Sequence, residues 1–228
     1  MGEERVFFNS SEVDPLELEG VLHRPVGEMG RCPAVLLCHP HSLMGGSMEV
    51  PVIAATAQEL AGHGIIALRF NFRGVGRSEG EFGEGVREVA DVAGGLDYLL
   101  GLEEVDEEKL YLMGYSFGAS VGLRHVEQDP RLAGIVALCL PLGNMAIGTL
   151  EKDFWHDYTK PKLFLAGDSD YICPLAELRP LVESLPEPKE LIVLEGTDHF
   201  LWGRERQIAR AIADFLAGQW DKTSGGGA

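Results

Sequence analysis

Hydrophobic and polar positions along this chain form a regular succession of short apolar runs and longer amphipathic stretches. Residues 5–9 (RVFFN) and 16–24 (LELEGVLHR) alternate as half-buried strands do, and Asp14-Pro15 supplies the turn between them. Continuous apolar runs follow at Pro33–Cys38 (PAVLLC), Ile65–Phe72 (IIALRFNF), Leu110–Met113, Ala133–Leu140 (AGIVALCL), Lys162–Ala166 (KLFLA) and Glu190–Leu194. Runs of that length without alternation predict strands buried on both faces. Helical spacing separates them at 51–63, 84–100, from Ser116 to about 128, 175–185 and 204–217. In the second of these, Val86, Val89, Ala93, Leu96, Leu99 and Leu100 share one predicted buried face. Residues 142–159 have no clear period, and the tail KTSGGGA at 222–228 predicts disorder.

Strands alternating with helices predict an α/β domain, a mostly parallel sheet with helices on both faces. Repeats and linkers are absent from the sequence, so residues 1–220 read as one domain, with 221–228 as its tail. Composition changes little: 45% hydrophobic and 24% charged residues are ordinary for a globular protein. Charge narrows the partners. With 19 basic and 36 acidic residues the net charge is −17, which argues against nucleic acid and anionic membranes. The start MGEERVFFNS is too charged for a secretory signal, and no run approaches the ~18 apolar residues of a membrane span. The cysteines Cys32, Cys38, Cys139 and Cys173 show no C-x-x-C pairing, which predicts reduced thiols and a cytoplasmic protein.

The chemistry concentrates where apolar runs end. Lys109–Gly122 passes from strand to small helical residues through Gly114-Tyr115-Ser116-Phe117-Gly118, a G-x-S-x-G pentapeptide. Such a turn pushes the serine hydroxyl above the sheet edge, and the glycines let strand and helix approach. Alone it is a weak signal in a chain with 29 glycines. Functional groups in these sheets gather beyond the carboxyl ends of the strands. Those loops carry Asp168 and Asp170 after the 162–166 run and Asp198-His199 after the 190–194 run. The order serine, acid, histidine is that of one triad fold among several.

From about residue 16 to 217 the chain resembles the α/β-hydrolases. It is most similar to small bacterial members with an H-P-H-x-x-x-G-G loop and an R-F-N-F-R-G-V-G-x-S segment, present here at 39–46 and 69–78. The motifs GYSFG (114–118), G-D-x-D-x-x-x-P (167–174) and G-x-D-H-F (196–200) add to the likeness. The resemblance implies an α/β-hydrolase fold with at most a minimal cap at 142–159, and a serine hydrolase acting on small to medium esters. It implies Ser116 as nucleophile, His199 as base and Asp170 as the orienting acid, with Asp168 and then Asp198 as alternatives. The oxyanion needs two backbone N–H donors, expected from Phe117 and His41. Leu43, Met44, Met145 and Trp202 are expected to wall the substrate pocket; Ile147, Phe154 and Trp155 belong to the same apolar set, which serves equally as core. The same groups leave open an aminopeptidase-like or thioesterase activity, or a catalytically silent fold used for binding.

Other features are weaker. His39 and His41 form an i, i+2 pair with no third ligand, so no metal is expected. The stretch Gly74–Gly80 is one residue too long for a dinucleotide fingerprint, and no cofactor is expected. Arg73 either braces its loop or is simply solvated. The expected partner is a small-molecule ester; monomer and homodimer stay equally open.

Overall fold

The computed structural model describes residues 2–27, 30–143 and 152–224. Its strands follow the apolar runs: β1 (Gly2–Asn9), β2 (Glu17–Arg24), β3 (Cys32–Cys38), β4 (Ile66–Phe70), β5 (Val105–Tyr115), β6 (Leu132–Leu138), β7 (Lys162–Gly167) and β8 (Lys189–Leu194). They form one sheet in the order β1-β2-β4-β3-β5-β6-β7-β8. The first two pairings, β1 with β2 and β2 with β4, are antiparallel, and the others are parallel. The helices are α1 (Pro51–Gly62), α2 (Glu88–Leu100), α3 (Phe117–Val126), α4 (Lys152–Asp157), α5 (Leu175–Ser184) and α6 (Glu205–Ser224).

From β3 the chain crosses to β4 on one side, and later returns to place β5 on the other side of β3. Right-handed crossovers running in opposite directions put their helices on opposite faces. Accordingly α1 packs with α6, while α2 packs with α3. The reversal also parts the loops after β3 and β5, opening a crevice at the carboxyl ends of the strands. The central strands are fully covered: Ala34 to Cys38 and all of β4 are buried.

Three elements differ from the sequence expectation. Helix α2 starts at Glu88 rather than 84, because Glu84 and Gly85 hold φ of 59° and 74°, outside helical backbone. The Glu88 carboxylate accepts the N–H groups of Gly83 and Gly85 and ties that turn down. Val86, expected on the buried face, is therefore exposed, and the buried acids Glu88 and Asp91 open the helix instead. The irregular 142–159 stretch holds helix α4; its Trp155, and Tyr158 just after its end, are core residues. Met145 and Ile147 lie outside the described residues. Helix α6 runs to Ser224, past the 217 at which the periodicity ends; 225–228 also lie outside the described residues.

Candidate active site

Ser116 stands where β5 becomes α3, with φ 54° and ψ −118°, backbone that residues other than glycine rarely adopt. Holding it costs on the order of 1–3 kcal/mol, tolerated only where the surroundings dictate it. Two glycines supply that dictation. A Cβ on Gly114 would lie 2.4 Å from the Ala119 backbone, and one on Gly118 would lie 2.4 Å from the Cys38 carbonyl oxygen. Helix α3 thus abuts both its own strand and the end of β3.

Above this corner three side chains from different loops meet. The Ser116 hydroxyl is 2.8 Å from His199 Nε2, and His199 Nδ1 is 2.8 Å from Asp170 Oδ2. All three are buried. The second Asp170 oxygen accepts the N–H groups of Ile172 and Cys173 at 2.8 and 2.9 Å. Burial alone raises a carboxyl pKa, but the His199 hydrogen bond and these amides outweigh it and hold Asp170 below the usual range. A carboxylate fixed as an anion accepts from Nδ1–H, leaving the Nε2 lone pair for the serine proton. The Tyr115 hydroxyl donates to the His199 carbonyl at 2.7 Å and anchors the histidine backbone.

The other two acids are occupied elsewhere. Asp168 accepts the N–H groups of Gly196 at 3.0 Å and Thr197 at 3.2 Å, so it ties the β8 loop to the β7 loop. Asp198 accepts the Phe200 amide, while the imidazole nitrogens are bonded to Asp170 and Ser116. Cys139 lies close: one ligand atom each from Cys139, Asp170 and His199 fall within 4.8 Å of one another. The thiol is pushed well above its usual pKa by burial and then by the Asp170 charge, so it keeps its proton. Asp170 and His199 are already bonded to each other, and that corner serves hydrogen bonding.

The loop after β3 is held by histidine chemistry of another kind. His39 Nδ1 donates to the Pro40 carbonyl at 2.6 Å, and its Nε2 accepts the Phe72 amide at 3.0 Å. Both ring nitrogens are used, so His39 has no lone pair for a metal, and burial lowers its pKa to about 4. His41 caps the short turn Ser42–Met44, accepting the Leu43 amide on Nδ1. Its ring packs 4.9 Å from those of Phe82 and Phe117. Phe117 is the first residue of α3, where backbone N–H groups have no helical partner. His41 and Phe117 both line the space beside Ser116.

The R-F-N-F-R segment proves to be scaffold. Arg69 donates to His23 and to the Met48 carbonyl, and Asn71 bridges the Met48 amide and Glu19. Arg73, fully buried, bonds Asp91 through Nε and Nη2 and reaches Glu12. It braces its loop. The Asp91, Glu19 and Tyr115 contributions escaped the sequence reading. Polar residues alternating with Phe at the end of a doubly buried strand were the available signal for this network, since each needs a partner.

A cavity of about 820 Å³ opens over Ser116 and His199. Leu43, Met44 and Trp202 line it, together with Val50, Val52, Tyr171 and Phe200. Met145 lies outside the described residues, and Phe154 and Trp155 pack in or against the core.

Residues 32–214 match the family of the alpha/beta hydrolase domain. The chain belongs to that family. The uncharacterized protein RP471 of Rickettsia prowazekii is 32% identical to this hydrolase over 189 residues, covering 81% of this chain and 78% of its own. An alpha-beta serine hydrolase homologue from Coxiella burnetii superposes on the hydrolase with a TM-score of 0.78 at 28% identity, covering 96% of this chain and 98% of its own. The Xanthomonas campestris protein XC6422, described as an a/b serine hydrolase without lid, gives 0.77 at 27% identity over 95% of each chain. Among the described residues no helix is long and apolar enough to cross a membrane.

Proposed function

We propose that this hydrolase cleaves small to medium carboxylic esters through an acyl-enzyme on Ser116. One observation carries the reading: the relay Ser116–His199–Asp170 is continuous at 2.8 Å per step and opens into an apolar cavity. Ser116 Oγ attacks the ester carbonyl carbon while its proton passes to His199 Nε2, because an unassisted hydroxyl is a poor nucleophile. The N–H groups of Phe117 and His41 receive the oxyanion, and the positive end of α3 adds to them. Collapse expels the alcohol, which takes the proton from His199. Water, deprotonated by the same imidazole, then releases the acid and restores Ser116. The likeness to serine hydrolase homologues at 27–28% identity supports this chemistry. The cysteines are all free, which supports a reducing, cytoplasmic setting.

A fluorophosphonate probe with peptide mapping, followed by p-nitrophenyl esters of increasing acyl length, tests the reading. The adduct is expected on Ser116, and Ser116→Ala is expected to lower kcat by about 10⁴ or more. An adduct on another serine, or none in active protein, ends it.

A further inference from the structure

Among the described residues the lining of the cavity over Ser116 includes no lysine or arginine, and its acidic residues are Glu49 and Glu205. At its mouth Tyr171, Phe200 and Trp202 stand 68%, 54% and 72% exposed. The two acids differ in how far they are compensated. Glu49 pairs with Arg69 at 2.7 Å, but that arginine is buried and also holds His23 and the Met48 carbonyl. Arg69 itself is not among the residues that line the cavity. Glu205 forms no ion pair among the described residues, and its side chain accepts only the Gly203 amide at 3.1 Å. Around both lies a chain of net charge −17.

These features bear on a substrate in one direction. A crevice lined by one sign of charge concentrates ligands of the opposite sign and repels its own, by roughly 10–10³ in association. Aromatic faces attract cations and gain nothing from anions. We infer that the part of the substrate lying in this mouth is uncharged or cationic, and that esters or thioesters on anionic carriers are turned away. This rests on the serine-hydrolase reading and narrows its substrate class. It separates an esterase for neutral or amino-alcohol esters from a thioesterase for a polyphosphorylated carrier.

Three isosteric butyrate esters test it. They carry a 2-substituted ethyl group ending in trimethylammonium (butyrylcholine), tert-butyl (3,3-dimethylbutyl butyrate) or sulfonate (2-sulfoethyl butyrate). Acyl group and bond are matched and bulk is similar, and the salt series and the variants below separate the effect of charge from leaving-group differences. At about 20 mM salt, where screening is weak, kcat/KM is expected to fall from cationic or neutral to anionic by about tenfold or more. Raising salt to about 0.5 M is expected to shrink that gap, lowering the cationic ester and raising the anionic one. In the Glu49→Gln/Glu205→Gln double variant the anionic-to-neutral ratio is expected to rise several-fold. Equal rates for the three esters, or a gap indifferent to salt, overturn the inference. Labelling of Ser116 and hydrolysis of p-nitrophenyl butyrate in the same preparation report separately on the underlying reading, so either failure is recognised for what it is.

Discussion

Asp170 and Asp168 sit two positions apart in one motif, and their geometry assigns them different work. Asp170 holds His199 Nδ1, whereas Asp168 accepts amides of the neighbouring loop and the hydroxyl of the adjacent Ser169. Asp170→Asn replaces an anionic acceptor by an amide that can donate, which favours the wrong imidazole tautomer. It is expected to lower kcat by about 10³–10⁴ with KM little changed. Asp168→Asn keeps an acceptor for the loop amides and is expected to cost far less. Steady-state kinetics of the two variants check this, and a reversal of the two effects would transfer the orienting role to Asp168. The order of the strand-end motifs, with the family resemblance, made Ser116 and His199 the candidates for nucleophile and base, because each has a strand end and a motif to itself. It left the acid open between two carboxylates, since the choice depends on which one the turn 170–173 buries. The Ile172 and Cys173 amides decide that, and they come from the turn itself.

At the scale of elements, the site depends on how closely α3 approaches the end of β3. Gly118 makes that approach possible: its missing Cβ would meet the Cys38 carbonyl oxygen at 2.4 Å and the His39 carbonyl oxygen at 2.6 Å. Both obstacles are backbone of a central strand and its loop, with little room to yield. Gly118→Ala is therefore expected to destabilise the protein by roughly 3 kcal/mol or more, at or above the upper end of overpacking costs. It should also slow fluorophosphonate labelling by displacing Ser116. Urea midpoints and labelling rates measure both, and a variant matching the wild type in each would refute the close-contact argument. The strands and most helices were legible from periodicity, because burial on one or two faces writes directly into the pattern. Helix α2 was misread at its start, where Val86 continued the apolar period but Glu84 and Gly85 left helical backbone. The buried bonding of Arg73 was equally out of reach, since Asp91 and Glu12 lie 18 and 61 positions away in the chain.

For the whole molecule the sequence predicted a one-domain α/β architecture, while the strand order, with β3 between β4 and β5, needs contacts between distant runs. That arrangement leaves several titratable groups buried, and their pKa values set how stability responds to acid. His39 is fully buried and bridges two loops as a neutral ring, with its pKa lowered to about 4 by burial, partly opposed by the bond to the Pro40 carbonyl. Burial likewise lowers His23 and His125. An unfolded histidine takes its proton near pH 6.5. Between pH 6.5 and 4 the unfolded chain therefore binds a proton that the folded chain refuses at His39. Stability from this residue is complete above about pH 6.5 and is lost as pH falls toward 4, by roughly 3 kcal/mol. Asp170, held below the usual carboxylate range, contributes in a lower window: its share is present above its unfolded pKa and fades below about pH 4. Urea unfolding at pH 7, 5.5 and 4.5 is expected to show a progressive loss, and His39→Gln is expected to flatten that slope while lowering stability at pH 7. Imidazole nitrogen NMR supplies the direct measurement. His39 is expected to keep the neutral Nδ1–H form at pH 5, and a protonated ring there would show that the bridge between Pro40 and Phe72 is not what holds the loop beside Ser116.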